Sequence, residues 1–227
     1  MQTNVAVVGS TGTEGSGLAP RFAHAGVRVR TGPRNLERAQ DTARRIAGQT
    51  NAAEVTGHTN GDAVAASSIV IPIVSLSAQV DTLKSIRDSF APGAILVDAT
   101  VPLEVAIGGR LSRTLTLWDG SAGQQAARPV PGVPVVAAFH ALSAEALAKL
   151  DHPLDGDTLI WGDSPKAKAA VARLAAMIPG VRAIDAGPLD DERLLESAAA
   201  LLISLNLRHK VKESGIMITG LPGGADS

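Results

Sequence analysis

The stretch Val7–Ala19, VVGSTGTEGSGLA, limits what this chain can fold into more than any other. Gly9, Gly12 and Gly15 follow one another at a spacing of three. An apolar run, Asn4–Gly9, leads in, and a helix-like stretch, Glu14–Ala25, leads out with Gly26 as its stop. A buried strand that turns on glycines straight into a helix opens a βαβ unit. The same rhythm continues along the chain. Strands are expected at Val27–Gly32, in EVTGHT, at Ser67–Val74, Gly93–Thr100 and Val133–His140, and in TLIWG and VRAIDAG. Helices are expected at Asn35–Gly48, capped by Asn35, and at Ala78–Phe90, Ser143–Leu150 and Pro165–Met177. Pro72 is awkward inside its strand. Between Pro102 and Pro134 the pattern weakens to a short helix and a Pro-rich connection. Strands separated by helices of this length form right-handed crossovers and a parallel sheet, so the fold class is α/β and doubly wound.

Bulk composition removes several function classes. The net charge of −1 and the 2% aromatic content give no footing for a nucleic-acid surface or a base-stacking platform. With no cysteine, disulfides, thiolate metal sites and cysteine nucleophiles are excluded. No apolar run approaches the roughly 20 residues that span a bilayer. The N-terminus lacks the basic-then-apolar pattern of a signal peptide, so a cytoplasmic protein is expected.

Glycines let the backbone turn tightly and approach a ligand, while the following helix aims free N–H groups and its positive dipole end at an anion. A dinucleotide pyrophosphate suits that arrangement. The second strand and its turn then choose the dinucleotide. An acid there would bond a ribose 2′-OH, but VRVRTGPRNLERAQ offers Arg34 and Arg38 instead, two guanidiniums suited to a 2′-phosphate. NADP is therefore expected over NAD.

Catalytic machinery is not evident. There is no Tyr, no G-x-S-x-G elbow, and no metal-spaced grouping among His24, His58, His140, His152 and His209. NADP binding without an acid–base dyad suggests hydride transfer between two bound cofactors, which needs positioning and dryness more than proton chemistry.

Over nearly its whole length the chain resembles the NADPH-dependent reductases of coenzyme F420, the F420H2:NADP oxidoreductases. The marks are VVGSTGTEGSGLA, VVAAFHALSAEALAKLDHPLDGDTLIWGD, IPGVRAIDAGPLDDERLLESAAALLISLN and GIMITGL. The resemblance implies a Rossmann-like NADP-binding domain over 1–145. It also implies a smaller C-terminal α/β part over 146–227 that completes the cofactor cleft. On that pattern Gly9, Thr11, Gly12, Thr13, Glu14 and Gly15 form the pyrophosphate turn, and Arg34 and Arg38 take the 2′-phosphate. Leu76 and Val80 border the NADP, His140 and Leu142 meet the deazaflavin ring, and ESGIMI closes the deazaflavin side. The chain departs from the pattern in two places. It has Ser75-Leu76 where relatives often carry Pro-Trp, and Pro33 where they often carry Ser.

Plainer readings stand beside these. A strand-end histidine such as His140 is more often structural when judged alone. Asp185, Trp118 and Trp161 read as structural, with both tryptophans packed inside. The DDER run reads as a helix start whose acids face the dipole, and His209 and Lys210 as the end of the last helix. Two other functions remain open: an NADPH-dependent reductase of a small imine, ketone or conjugated substrate, and a non-enzymatic NADP-sensing module. The apolar stripe Leu194, Leu195, Ala198, Leu201, Leu202 and Leu205 on the final helix suggests packing on the body or a homodimer. The expected partners are small-molecule cofactors, with no nucleic acid and no membrane.

Overall fold

The computed structural model describes residues 3–9, 15–32, 35–50 and 54–221. Alternating apolar runs and helices build one eight-stranded sheet in the order β3-β2-β1-β4-β5-β6-β7-β8. Its elements in chain order are β1 (Asn4–Val8), α1 (Gly15–His24), β2 (Arg28–Gly32), α2 (Leu36–Thr50), β3 (Val55–Gly57), α3 (Asn60–Ala65), β4 (Ile69–Pro72) and α4 (Leu76–Ile86). There follow β5 (Ile95–Asp98), α5 (Ala122–Ala127), β6 (Val135–Ala137), α6 (Ala144–Ala148), β7 (Gly156–Gly162), α7 (Pro165–Ala176), β8 (Val181–Gly187) and α8 (Arg193–His209).

Strand β1 shows why the sheet is covered on both faces. Val5 and Val7 pack into one core with Leu18 and Phe22 of α1, Ile46 of α2 and Leu174 of α7. Ala6 and Val8 pack into the other with Val64 of α3, Leu83 of α4, Ala126 of α5 and Leu195 of α8. Alternate side chains point to opposite faces, so a strand apolar at every position supplies both cores.

The proline in β4 is accommodated by its place. Val8 pairs with Pro72, and the next residue, Ile73, donates its N–H to the Val8 carbonyl at 2.8 Å. Successive N–H groups point to opposite sides, so Pro72 would have donated toward β5. That ladder covers only Ile69–Ile95 and Val70–Leu96, and no bond is lost.

Three features differ from the sequence expectations. The fourth, fifth and sixth strands are shorter than their apolar runs, although flanking residues such as Ile73 and Ala138 still donate to the neighbouring strand. The helix α3, N-capped by Thr59 through the Asp62 N–H, was too short to show a period. The sheet is not wholly parallel, since β6 and β7 run antiparallel through Val136–Gly162 and Ala137–Trp161. The one helix in that connection, α6, has five residues and packs on α1, so no crossover returns along the sheet. β7 therefore begins beyond the C-terminal end of β6 and rises past the sheet edge. The sheet runs unbroken across residue 145. Trp118 corrects another expectation: it is 98% exposed, whereas Trp161 is buried.

A candidate cofactor cleft

The strand order reverses between β1 and β4, and crevices at such switch points receive ligands. Gly9 lies there with φ of +82°, and a Cβ on it would sit 2.4 Å from Val74 Cγ1. Only glycine lets the end of β1 run this close to the end of β4. Beside it opens a cavity of about 850 Å³. The loop after β4, the end of β5 and residues 139–145 form its near walls, and α8 with residues 210–214 forms the far wall. Leu18, Ile73, Leu142 and Leu202 give it a largely apolar lining.

The structure distributes the expected site residues unevenly. Thr11, Gly12, Thr13, Glu14 and Arg34, together with Pro33, lie outside the described residues. Gly15 opens α1. Arg38 is exposed on α2, where its backbone N–H is capped by Asn35 Oδ1 at 3.2 Å. Leu76, the first residue of α4, lines the cavity; Val80, one turn on, is half-buried and is not among the lining residues. Leu142 lines the cavity. His140 borders it through main chain alone, because its side chain is 0% exposed and turned inward.

That imidazole enters a buried charge cluster. Nε2 lies 3.4 Å from Glu192 Oε1 and 4.0 Å from Asp98 Oδ2, distances of ion pairs without hydrogen-bond alignment. Asp98 Oδ1 accepts from Gln79 Nε2 at 2.8 Å and from Thr100 Oγ1 at 2.9 Å. Glu192 Oε2 accepts from Ser121 Oγ at 2.6 Å and from the Gly123 N–H at 2.9 Å. Glu196 Oε1 accepts the Ala122 N–H at 2.6 Å. Burial pushes Asp98 up to about 6, aided by Glu192 and opposed by His140 and Thr100. Burial likewise lifts Glu196 to about 7, against its bond from Ala122. Burial alone would lower the His140 pKa, but Glu192, Asp98 and Glu196 outweigh it and the pKa is raised.

The far wall is fastened from β7 and β8. Arg182 bonds both Asp157 carboxylate oxygens at 2.8 Å, and Asp157 Oδ2 accepts the Ile218 N–H at 2.6 Å. The Asp157 N–H donates to the Ile216 carbonyl at 2.7 Å. Ser143 Oγ donates to the Lys212 carbonyl at 2.7 Å, which draws residues 210–218 over the cavity mouth.

Residues 4–102 match the family described as NADP oxidoreductase, coenzyme F420-dependent. A relative called F420-dependent NADP reductase, from Methanothermobacter thermautotrophicus, is 44% identical over 98% of this chain and 97% of its own. Another of the same description, from Methanocaldococcus jannaschii, is 35% identical over 96% of this chain and 98% of its own. The chain belongs to this family. Among solved structures, that of a putative F420-dependent NADP reductase from an Arthrobacter species superposes with a TM-score of 0.79. It is 23% identical and covers 95% of this chain and 99% of the other, which shows the shared fold.

Within this F420-dependent family member, the sequence reading missed Gln79, Asp98, Glu192 and Glu196. Asp98 left one signal, an acid ending an otherwise apolar strand. Glu196 left another, a carboxylate between the buried Leu195 and Ala199 on α8. Glu192 was read as an acid facing its own helix dipole. It is buried instead, and serves the amide of Gly123 at the start of α5.

Proposed function

We propose that this enzyme exchanges hydride between NADP(H) and coenzyme F420 in the cavity at the end of the sheet. The hydride passes directly between nicotinamide C4 and deazaflavin C5. The observation that carries this reading is a single cavity whose walls include Leu76, expected beside NADP, and Leu142, expected beside the deazaflavin. Its volume of about 850 Å³ and apolar lining suit two planar rings shielded from water. Gly9 lets the end of β1 lie against the end of β4 at the switch point, where a pyrophosphate is expected on residues 11–15. Arg34 and Arg38 take the 2′-phosphate. Residues 1–145 carry NADP, and 146–227 close the cleft over the deazaflavin with the strap at 210–218. His140 contributes main chain to that side, and its imidazole serves the cluster behind.

We infer a cytoplasmic homodimer. Leu194 and Leu201, seven residues apart and so on one face of α8, are 60% and 58% exposed, which supports a second copy on that face. No described helix is long and apolar enough to cross a membrane.

The test mixes purified protein with NADPH and oxidised F420 and follows deazaflavin absorbance, with NADH in parallel. Bleaching with NADPH and much slower bleaching with NADH is expected. No bleaching in protein that binds NADP would overturn the assignment and direct the search to a small imine, ketone or conjugated substrate.

A further inference from the structure

We propose that Asp98, His140 and Glu192 form a buried charge clamp that positions the main chain of residues 139–142 against the deazaflavin. The clamp rests on the F420 reading above.

Three observations lead to it. First, both acids are fixed before His140 is counted. Gln79 and Thr100 hold Asp98, while Ser121 and the Gly123 amide hold one oxygen of Glu192. The other oxygen, Oε1, has no hydrogen-bond donor and faces His140 Nε2. A buried carboxylate with a free oxygen calls for a cation. The imidazolium provides it, and its side chain is fully buried in turn.

Second, the loop that carries His140 is strained. Phe139 has φ of +73°, a conformation unfavourable for a bulky side chain. Its N–H is taken by Thr158 Oγ1 at 3.0 Å, and its ring meets Phe22 edge-on at 5.7 Å. The Leu142 N–H closes the turn on the Phe139 carbonyl at 3.0 Å. This turn sends the His140 side chain inward and leaves Phe139, Ala141 and Leu142 to line the cavity. A strained turn persists only where its surroundings fix it, and the clamp is the fixing point.

Third, the clamp joins opposite walls of one cavity. Asp98 ends β5 and His140 follows β6, both on the near side, while Glu192 immediately precedes α8. Further along α8, Ala199, Leu202 and Asn206 line the far side. A shift of His140 therefore changes the spacing between the walls. The titratable groups facing it are Asp98 from β5 and Glu192 and Glu196 from α8. Gln79 of α4 and Ser121 before α5 complete the shell without charge.

The test compares the unaltered enzyme with Glu192→Gln and Asp98→Asn. KM is measured for F420 and for NADPH, with the NADPH dissociation constant taken separately without F420. Loss of the charge pair is expected to raise KM for F420 about tenfold, as misplacement by a fraction of an ångström does. NADPH binding should stay within about twofold. In the unaltered enzyme KM for F420 should also rise on the acid side of about pH 6, where Asp98 takes up its proton. That limb should disappear in Asp98→Asn. Folded variants with unchanged KM for F420 would overturn the clamp. So would equal weakening of both cofactors with a lower melting temperature, the mark of a merely structural role. Bound zinc in the purified protein would overturn it too, since the three side chains could then be metal ligands. If the variants do not fold, a flat KM for F420 across pH 6 in the unaltered enzyme decides against it. No F420 turnover by the unaltered enzyme would remove the functional reading itself, and the clamp with it.

Discussion

Arg21 is the perturbation that most directly tests how the cleft is built. Its side chain is fully buried on α1. Nε donates to the Leu147 carbonyl at 3.1 Å, and the two terminal nitrogens donate to the carbonyls of Ala146, Lys149, Leu150 and His152 at 2.7–3.2 Å. Among the described residues no carboxylate pairs with it directly; burial lowers its pKa and Asp151 only partly offsets this. The cation is satisfied by the carbonyl end of α6, where a helix dipole favours positive charge. A five-residue helix has almost no stability of its own, so α6 stands because Arg21 caps it. In Arg21→Met the buried Leu147 carbonyl loses its donor, which costs about 1–3 kcal/mol. The four half-buried carbonyls can recover water and add about 2 kcal/mol between them, partly offset by sparing a guanidinium its desolvation. The expected loss, after that offset, is about 2–4 kcal/mol. At about 2–4 °C per kcal/mol for a chain of this size, the melting temperature should fall by roughly 10 °C. Arg21→Lys keeps the charge but not the planar fork and should fall between the two. Thermal unfolding by circular dichroism reads both, and hydrogen exchange should show α6 losing protection first. A drop below about 2 °C in Arg21→Met would refute the view that these carbonyls depend on Arg21.

Other outcomes follow from the same geometry. Arg38→Ala should raise KM for NADPH about tenfold and leave KM for NADH unchanged, read by steady-state kinetics with each nucleotide. Gly9→Ala places a methyl 2.4 Å from Val74 Cγ1 at a φ of +82°, so calorimetry should show weakened NADP binding and differential scanning a lower melting temperature. The hydrogen bonds of Arg182 hold the Asp157 carboxyl below its usual range, against a smaller opposing effect of burial and with help from the Ile218 N–H. A depressed carboxylate stabilises the fold above its unfolded pKa of about 4 and loses that contribution as pH falls through the folded value. Acid unfolding of Asp157→Asn should therefore begin from a lower stability at neutral pH and show a shallower dependence below about pH 4. Leu201→Glu should convert a dimer to a monomer in sedimentation velocity while leaving the fold intact.

The sequence made the α/β order legible because buried parallel strands are apolar at every position and their helices have a different period. β1, with both its faces in cores, is the clearest case. Where the period could not be sampled, the reading failed, as at α3 with six residues. The antiparallel β7 was hidden for another reason. Direction depends on where a connection travels, and α6 is turned aside by Arg21, a residue more than a hundred positions away. The candidate site shows the same division. Leu76 and Leu142 could be found because they belong to continuous stretches. His140 was named for the same reason, but its grouping with Asp98 and Glu192 could not be, because no local spacing joins residues that meet only through the sheet.

That hidden cluster also explains why the sequence showed no acid–base pair. A ketone or imine substrate would need a proton donor beside the atom that takes up negative charge. The floor of the cavity offers Leu18, Ile73, Leu76, Leu142 and Leu147 instead. Of the ionisable groups at its mouth, Lys212 is engaged with Glu145 at 3.2 Å, and Lys210 lies at the C-terminal end of α8, on the wall away from the apolar floor. The strongly perturbed carboxylates lie behind the 139–142 main chain, with their imidazole partner turned away from the cavity. Hydride exchange between two flat rings asks for neither acid nor base at the reacting carbons. It asks that two walls keep a fixed separation and that water stay out. A charge cluster that holds the walls and never enters the cavity serves that chemistry; the same cluster would be misplaced for a reaction in which it had to move a proton to the substrate.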